Sequence, residues 1–329
     1  MRTTVLVTGS AGHLGEGLMR TLPGAGYGAI GLDLRRTAFT HHVGSITDRE
    51  FVDRCMAGVD AVVHTATLHK PHVATHRRQD FVDVNVTGTL NLLEAATTAG
   101  VGAFVFTSTT SAFGRALTPD TAAATAWIIE DVVPLPRIIY GVTKVAAETL
   151  CEMFHRQFSL PCLVLRTSRF FPDPDDDGET RRTYDDANVK LNELSYRRAD
   201  IEDVVGAHLL ALENAAAIGF GRYIISATTS FTRDDLRDLR TDAPAVLRRR
   251  APGYEDIYRP RGWSMFPGID RVYVNERARR ELGWQPRYDF ARAVEQMKAG
   301  QDPRSELART IGSKGYHDTV FADGPYPVS

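Results

Sequence analysis

Val5-Leu6-Val7 passes directly into Thr8-Gly9-Ser10-Ala11-Gly12-His13-Leu14-Gly15, with glycines at the first, fourth and seventh places of the repeat. No other feature constrains the fold as tightly. The first glycine permits a tight turn, the second lets backbone come close to a ligand, and the third lets a helix pack against the strand. A helix starting there offers unpaired N–H groups and the positive end of its dipole to an anion. Strand, glycine loop and helix in this order predict a dinucleotide site on Gly9, Ala11, Gly12, His13, Leu14 and Gly15. Asp33 ends the next apolar run. A carboxylate there accepts hydrogen bonds from the adenosine ribose and repels a 2′-phosphate, which favours NAD over NADP. Arg35 and Arg36 pull the other way, since arginine can accommodate that phosphate.

Short apolar runs then alternate with helical patterns. Strands are predicted at Val5–Val7, Ala29–Leu34, Ala61–His64, Ala103–Thr107, Leu163–Leu165 and Tyr223–Ser226. Helices are predicted after Gly12 and over Asp48–Met56, Phe81–Ala99, Tyr140–Phe158 and Ile201–Asn214. This alternation implies a parallel sheet covered on both faces. The expected class is α/β: a doubly wound parallel sheet of Rossmann type with a smaller C-terminal substrate lobe. The NAD-binding domain is drawn over residues 1–166 and the lobe mainly over 167–329, with 201–230 returning to the main sheet. Pro172–Glu179 reads as an acidic loop, and the Gly- and Pro-rich tail from Gly312 to Ser329 is expected to wrap an edge or a partner.

Composition narrows the partners. The 329 residues, 43% hydrophobic and 24% charged, suffice for a sizeable core. A formal net charge of −2 sets up no dominant field, which argues against nucleic acid or an anionic membrane as partner. Cys55, Cys151 and Cys162 are odd in number and widely spaced, so a disulfide framework is not expected and a reducing, cytoplasmic setting is. No metal is expected: His41 and His42 are adjacent, and His69, His72 and His76 share one loop without ligand spacing. No apolar stretch reaches the ~18 residues of a membrane span, and the N-terminus runs straight into the first strand rather than through a signal peptide.

Tyr140-Gly141-Val142-Thr143-Lys144 puts a tyrosine and a lysine four residues apart at a helix start, on one face. A free tyrosine, with a pKa near ~10, is a poor base at neutral pH. A neighbouring ammonium lowers that pKa by stabilising the phenolate. Lys144 can also hydrogen-bond a nicotinamide ribose. The fourth strand ends in Thr107-Ser108-Thr109-Thr110-Ser111, where a hydroxyl can hold a substrate oxygen and steady developing charge.

These motifs together resemble the extended short-chain dehydrogenases/reductases, the group of NAD-dependent sugar epimerases and dehydratases. The resemblance rests on the Thr8–Gly15 loop, Asp33, His64-Thr65-Ala66, Asn85-Val86-Thr87-Gly88-Thr89, the Thr107–Gly114 strand end and Tyr140/Lys144. It continues through Arg198-Ala199-Asp200-Ile201-Glu202-Asp203-Val204 and Leu282-Gly283-Trp284-Gln285-Pro286. It implies a catalytic set of Thr109, Tyr140 and Lys144. It implies cofactor contacts from Ser45, Ile46, Asp48, His64, Ala66, Asn85 and Thr107 as well, and homodimers formed through the helices near Asn85 and Tyr140. Substrate contacts are implied at Ser108, Thr110, Arg169, Asn188 and Arg197, with Arg181, Arg182 and Tyr196 nearby. Arginine suits bidentate recognition of carboxylate or phosphate.

The chain departs from the family pattern in four places. Gly44-Ser45 replaces the usual Gly-Asp on the adenine side. Thr110 and Ser111 stand where the 4,6-dehydratases carry Asp-Glu, so elimination lacks its acid and base. Only residues 167 to 197 separate the strand at Arg166 from Arg198, short for a nucleotide-sugar pocket, and Phe170-Phe171 is followed by Pro172 instead of Asn. The expectation is therefore an NAD-dependent sugar epimerase working by transient hydride abstraction at a hydroxyl-bearing carbon, C4 first, of a sugar or nucleotide sugar. The alternatives are an NAD-dependent sugar or sugar-acid dehydrogenase or ketoreductase, and a catalytically weak NAD-sensing protein.

Overall fold

The structure, a computed structural model, describes residues 2–118, 123–315, 317 and 321–322. Met1 and much of the tail after Gly315, both covered by expectations above, lie outside these residues. The strands are β1 (Thr4–Thr8), β2 (Gly28–Asp33), β3 (His42–Val43), β4 (Ala61–His64), β5 (Ala103–Thr109), β6 (Ala126–Ile128), β7 (Cys162–Thr167), β8 (Phe220–Ile225) and β9 (Arg271–Tyr273). Seven of them form one sheet in the order β3-β2-β1-β4-β5-β7-β8, and every pairing in it is parallel. The order reverses between β1 and β4, and ligands of such sheets bind outside the carboxyl ends of the strands at that reversal. The fold is the expected Rossmann-like α/β sheet.

Eight helices account for the site: α1 (His13–Thr21), α2 (Arg49–Cys55), α3 (Arg78–Val82), α4 (Gly88–Ala99), α5 (Ile139–Phe158), α6 (Gly178–Thr183), α7 (Asp186–Leu194) and α8 (Ile201–Ile218). Because strand side chains alternate between faces, the strands must be apolar throughout when both faces are covered. Val5, Val7, Val63, Val105, Leu163 and Leu165 pack beneath α1 and α8 with Leu14, Leu18, Val204 and Ala211. The alternate residues Leu6, Val62, Phe104, Phe106 and Val164 pack beneath α4 and α5 with Leu92, Ala96, Ala147 and Cys151. Cys55, Cys151 and Cys162 are buried and unbridged.

Residues 201–225 run through α8 into β8, which pairs with β7 on the main sheet. Over the sheet's carboxyl edge lies a third core of Leu191, Tyr196, Leu239, Val246, Tyr254, Tyr258, Val272 and Phe290. β6 and β9 form a separate two-stranded sheet, a pairing between residues more than 140 apart that sequence periodicity does not reveal. β3 is likewise unforeseen, at two residues too short to show alternation. The helix predicted over Phe81–Ala99 is in fact α3 and α4 joined by a π-turn at Asp83–Thr87, and such bulges cluster at functional sites. Among the described residues no helix is long and apolar enough to cross a membrane.

Candidate active site

A cavity of about 510 Å³ opens along the carboxyl ends of β1, β2, β4 and β5. The glycine loop forms its floor. Gly9 has φ +76°, and a Cβ there would lie 2.7 Å from Thr65 Oγ1 and 2.8 Å from the Ala66 amide. A Cβ on Gly15 would sit 1.9 Å from the Gly9 carbonyl, so both positions admit only glycine. A Cβ on Gly12 would meet only the Gly9 carbonyl, at 3.3 Å; its open side is the cavity. Gly12 also caps α1, whose first amides have no side-chain cap. This is a cradle for a diphosphate at a helix N-terminus. Asp33 is held in place by its own loop: Oδ2 accepts from the Ala11 amide at 3.0 Å and Oδ1 from the Arg35 amide at 2.9 Å. Its carboxylate lines the cavity at the end that suits a ribose. Gly44, Ser45 and Ile46 continue that wall; the Ser45 hydroxyl turns toward Thr47 Oγ1, 2.8 Å away.

Behind the wall runs a chain of polar contacts. His64 lies between Thr8 Oγ1 (2.7 Å from Nδ1) and Thr89 Oγ1 (2.9 Å from Nε2). Thr89 donates its own hydroxyl proton to the Asn85 carbonyl, so Nε2 carries the imidazole proton and Nδ1 accepts from Thr8. The π-turn aims Asn85 at the loop after β4. There its Oδ1 accepts from Leu68 N and Thr67 Oγ1, and its Nδ2 donates to the Leu68 carbonyl and Thr143 Oγ1. Thr143 lies between Tyr140 and Lys144 in sequence and bonds the Tyr140 carbonyl at 3.0 Å. The floor of the cofactor groove is thus tied to the start of α5. His64 and Asn85 act from behind the wall rather than on it, as do Ala11 and Gly15.

Tyr140 and Lys144 both line the cavity, and both are buried. Burial holds the Tyr140 phenol well above its ordinary range, while a hydrogen bond from Thr109 works against that rise. Burial pulls Lys144 down to about 7, partly offset by Glu148. Its Nζ sits 4.1 Å from the centre of the Phe106 ring. The expectation of a lowered tyrosine pKa is therefore not met by the protein alone: desolvation outweighs the opposing effect of Thr109. Thr109 also caps the short turn after β5, accepting from the Ser111 amide.

Several residues expected to touch substrate have other partners. Ser108 lines the cavity, yet its hydroxyl donates to Glu148 at 2.5 Å, inside a buried network with Arg166. Arg169 pairs with Asp175, Asp176 and Glu193, and Arg197 pairs with Glu193. Burying a guanidinium requires such counter-charges, and they draw both side chains out of the cavity wall. Asn188 is buried in the lobe, where its Oδ1 accepts from the Ser264 amide. The Thr110 carbonyl accepts from Tyr273. Neither Asn188 nor Thr110 lines the cavity.

Sequence reasoning missed the other wall. His69, His72 and His76, from the loop after β4, face Phe170 and Phe171 after β7. The His69 ring is 4.9 Å from Tyr140 and 4.8 Å from Phe171. Burial, chiefly, lowers its pKa to about 3, so it is a neutral hydrogen-bonding group beside the phenol. Its place just past a parallel strand's carboxyl end was the available signal. Among the described residues lining the cavity, Asp33 is the sole carboxylate.

Residues 5–225 match the NAD dependent epimerase/dehydratase family. The chain belongs to that family. That family is described as NAD dependent, which makes NAD its cofactor. The glycine cradle, the helix N-terminus and the fixed Asp33 are the residues that fit it. A UDP-glucose 4-epimerase of Azospirillum brasilense is 27% identical over 353 residues, covering 94% of each chain. A dTDP-glucose 4,6-dehydratase of Streptomyces niveus is 32% identical over 191 residues, covering 51% of this chain and 54% of its own. The chain spans about half the length of the first curated relatives it matches. In fold it is similar to a short-chain dehydrogenase/reductase superfamily protein of Agrobacterium tumefaciens solved with bound NAD, with a TM-score of 0.64 at 24% identity, covering 93% of this chain and 99% of that one.

Proposed function

We propose that this protein is a sugar epimerase that inverts a hydroxyl-bearing carbon, C4 first, of a sugar or nucleotide sugar, with Thr109, Tyr140 and Lys144 as its catalytic residues. The observation that carries the reading is the buried Tyr140 phenol sharing one cavity wall with Lys144 at the carboxyl end of β5. As a phenolate, Tyr140 takes the proton of the reacting hydroxyl, and Thr109 orients that oxygen. Lys144, poised near neutrality, changes its charge at small cost as the phenol loses its proton. His69 donates or accepts a hydrogen bond to a neighbouring hydroxyl without bringing charge. Bound NAD would supply the hydride acceptor and a positive charge near the phenol.

Two further observations support epimerisation. The full-length similarity is to a UDP-glucose 4-epimerase. Dehydration, the activity in the name of the Streptomyces relative, needs an acid and a base beside Thr109, and the described residues lining the cavity offer no carboxylate there. We place the homodimer contact on the helices around Asn85 and Tyr140, α3 with α4 and α5, where Val82 and Val142 are exposed. Purified protein incubated with free sugars, sugar acids and nucleotide sugars, while nicotinamide absorbance is followed, tests the reading. The expected result is a product isomer without net NADH. Stoichiometric NADH would convert the assignment to a dehydrogenase. Binding of NAD without turnover of any class would leave an NAD-sensing protein.

A further inference from the structure

The family match ends at residue 225, yet Lys314, Gly315 and His317, from the other end of the chain, form part of the cavity wall. The helix Glu306–Ile311 stops at Gly312, and the following segment lies against the start of α1. The Lys314 amide donates to His13 Nε2 at 3.1 Å, and the His13 ring also hydrogen-bonds the Gly312 backbone. The Ser313 hydroxyl donates to Asp173, and the Lys314 ammonium pairs with Glu16. Farther along, His317 Nε2 donates to the Pro71 carbonyl at 3.2 Å, and its ring packs 5.2 Å from His72. The segment is therefore fastened to the glycine loop on one side and to the histidine loop after β4 on the other.

The charges explain why a lysine belongs at this crossing. Glu16 lies in the first turn of α1, the helix whose N-terminus faces the diphosphate cradle. A bare carboxylate there would repel a phosphate as surely as the helix end attracts one. Arg20 already pairs with Glu16 at 2.8 Å, so Lys314 is a second cation on a single carboxylate. With Asp173 3.8 Å from His13, the two cations balance the two carboxylates, so the cradle faces no net negative charge. Lys314 has a flexible four-carbon stem and three donors, and it already lines the cavity.

We propose that Gly312–Gly315, together with His317, is a strap that completes the dinucleotide site, and that Lys314 is the side-chain cation for the cofactor's diphosphate. The inference rests on the NAD reading of the cavity. Charge-assisted contacts to phosphate are the strong class of hydrogen bond, so loss of this one has a measurable cost in affinity.

NAD and adenosine, which lacks the diphosphate, are titrated by calorimetry into the wild-type protein, Lys314→Gln, Lys314→Arg and a chain ending at Ile311. Ligand-free melting temperatures are recorded alongside. Lys314→Gln is expected to weaken NAD about tenfold with adenosine unchanged. Lys314→Arg should stay near wild type, and the shortened chain should lose at least as much as Lys314→Gln. Unchanged NAD affinity in Lys314→Gln and the shortened chain overturns the strap. A parallel loss of adenosine affinity overturns the diphosphate role, because the segment would then only shape the groove. A wild-type protein that fails to bind NAD overturns the cofactor site itself, and the strap with it.

Discussion

The carboxyl edge of the sheet and the lobe over it are held by different chemistry. Behind the cofactor groove the polar side chains are neutral: Thr8, His64, Thr89 and Asn85 pass hydrogen bonds along a line, and His208 accepts from Thr107 while donating to the Val204 carbonyl. In the lobe the buried groups are ions. Glu193, fully buried, faces Arg169, Arg197 and Arg198, and Arg169 takes two more carboxylates from the loop before α6. Neutral donors and acceptors are satisfied by one or two neighbours fixed by a local motif. Buried charges need several counter-charges brought from separate segments. The edge can therefore present a reactive tyrosine in a fixed pose, while the lobe spends its arginines on itself.

Four measurements would break or sharpen this contrast. The largest effect is expected at the edge. Tyr140→Phe should lower turnover by about 10²- to 10⁴-fold, the usual contribution of a positioned proton-transfer group, with NAD binding retained. Activity near wild type would move the chemistry off Tyr140. In the lobe, Glu193→Gln leaves three guanidiniums facing a neutral amide and should cost about 3–5 kcal/mol of stability, read by denaturant unfolding. A loss under about 1 kcal/mol, the range of surface pairs, would mean that the lobe's ions behave as if exposed.

The third measurement uses acid. Burial lowers the His64 pKa well below 6.5, and that of His208 to about 4. Once unfolded, both protonate near ~6.5. The unfolded chain then takes up protons that the folded chain refuses, so stability is full above pH 6.5 and falls as pH drops toward 4. The slope reaches about 1.4 kcal/mol per pH unit for each of these histidines. A flat unfolding midpoint between pH 7 and 5 would contradict the neutral network. The smallest effect belongs to Asp33→Asn, expected to weaken NAD about tenfold and to narrow its advantage over NADP, measured by titration with both dinucleotides. Unaltered preference would show that Arg35, not Asp33, sets the choice.

The legible parts of the site share one property. Gly9, Gly12, Gly15, Asp33, Tyr140 and Lys144 each belong to a short motif whose spacing maps onto one turn or one helix face, and all but Gly15 reach the cavity wall. Arg169 and Arg197 were legible as arginines near a pocket, but their carboxylate partners are set by how the lobe folds back on itself. His69 was visible only as one of three histidines in a loop; its ring contact with Tyr140 depends on β4 and α5 ending side by side.

By itself the sequence determined the parallel sheet, the glycine cradle and the tyrosine–lysine pair, because each follows from local spacing and from strands that must be apolar on both faces. Tertiary structure alone decided which polar groups remain available to a ligand. It committed the lobe arginines to buried carboxylates, set a neutral histidine beside the phenol, and laid Lys314 across a helix almost 300 residues earlier in the chain. Local geometry can be read from residue order, whereas the pairing of charges and the closing of a cavity depend on which distant segments exclude water from the same space.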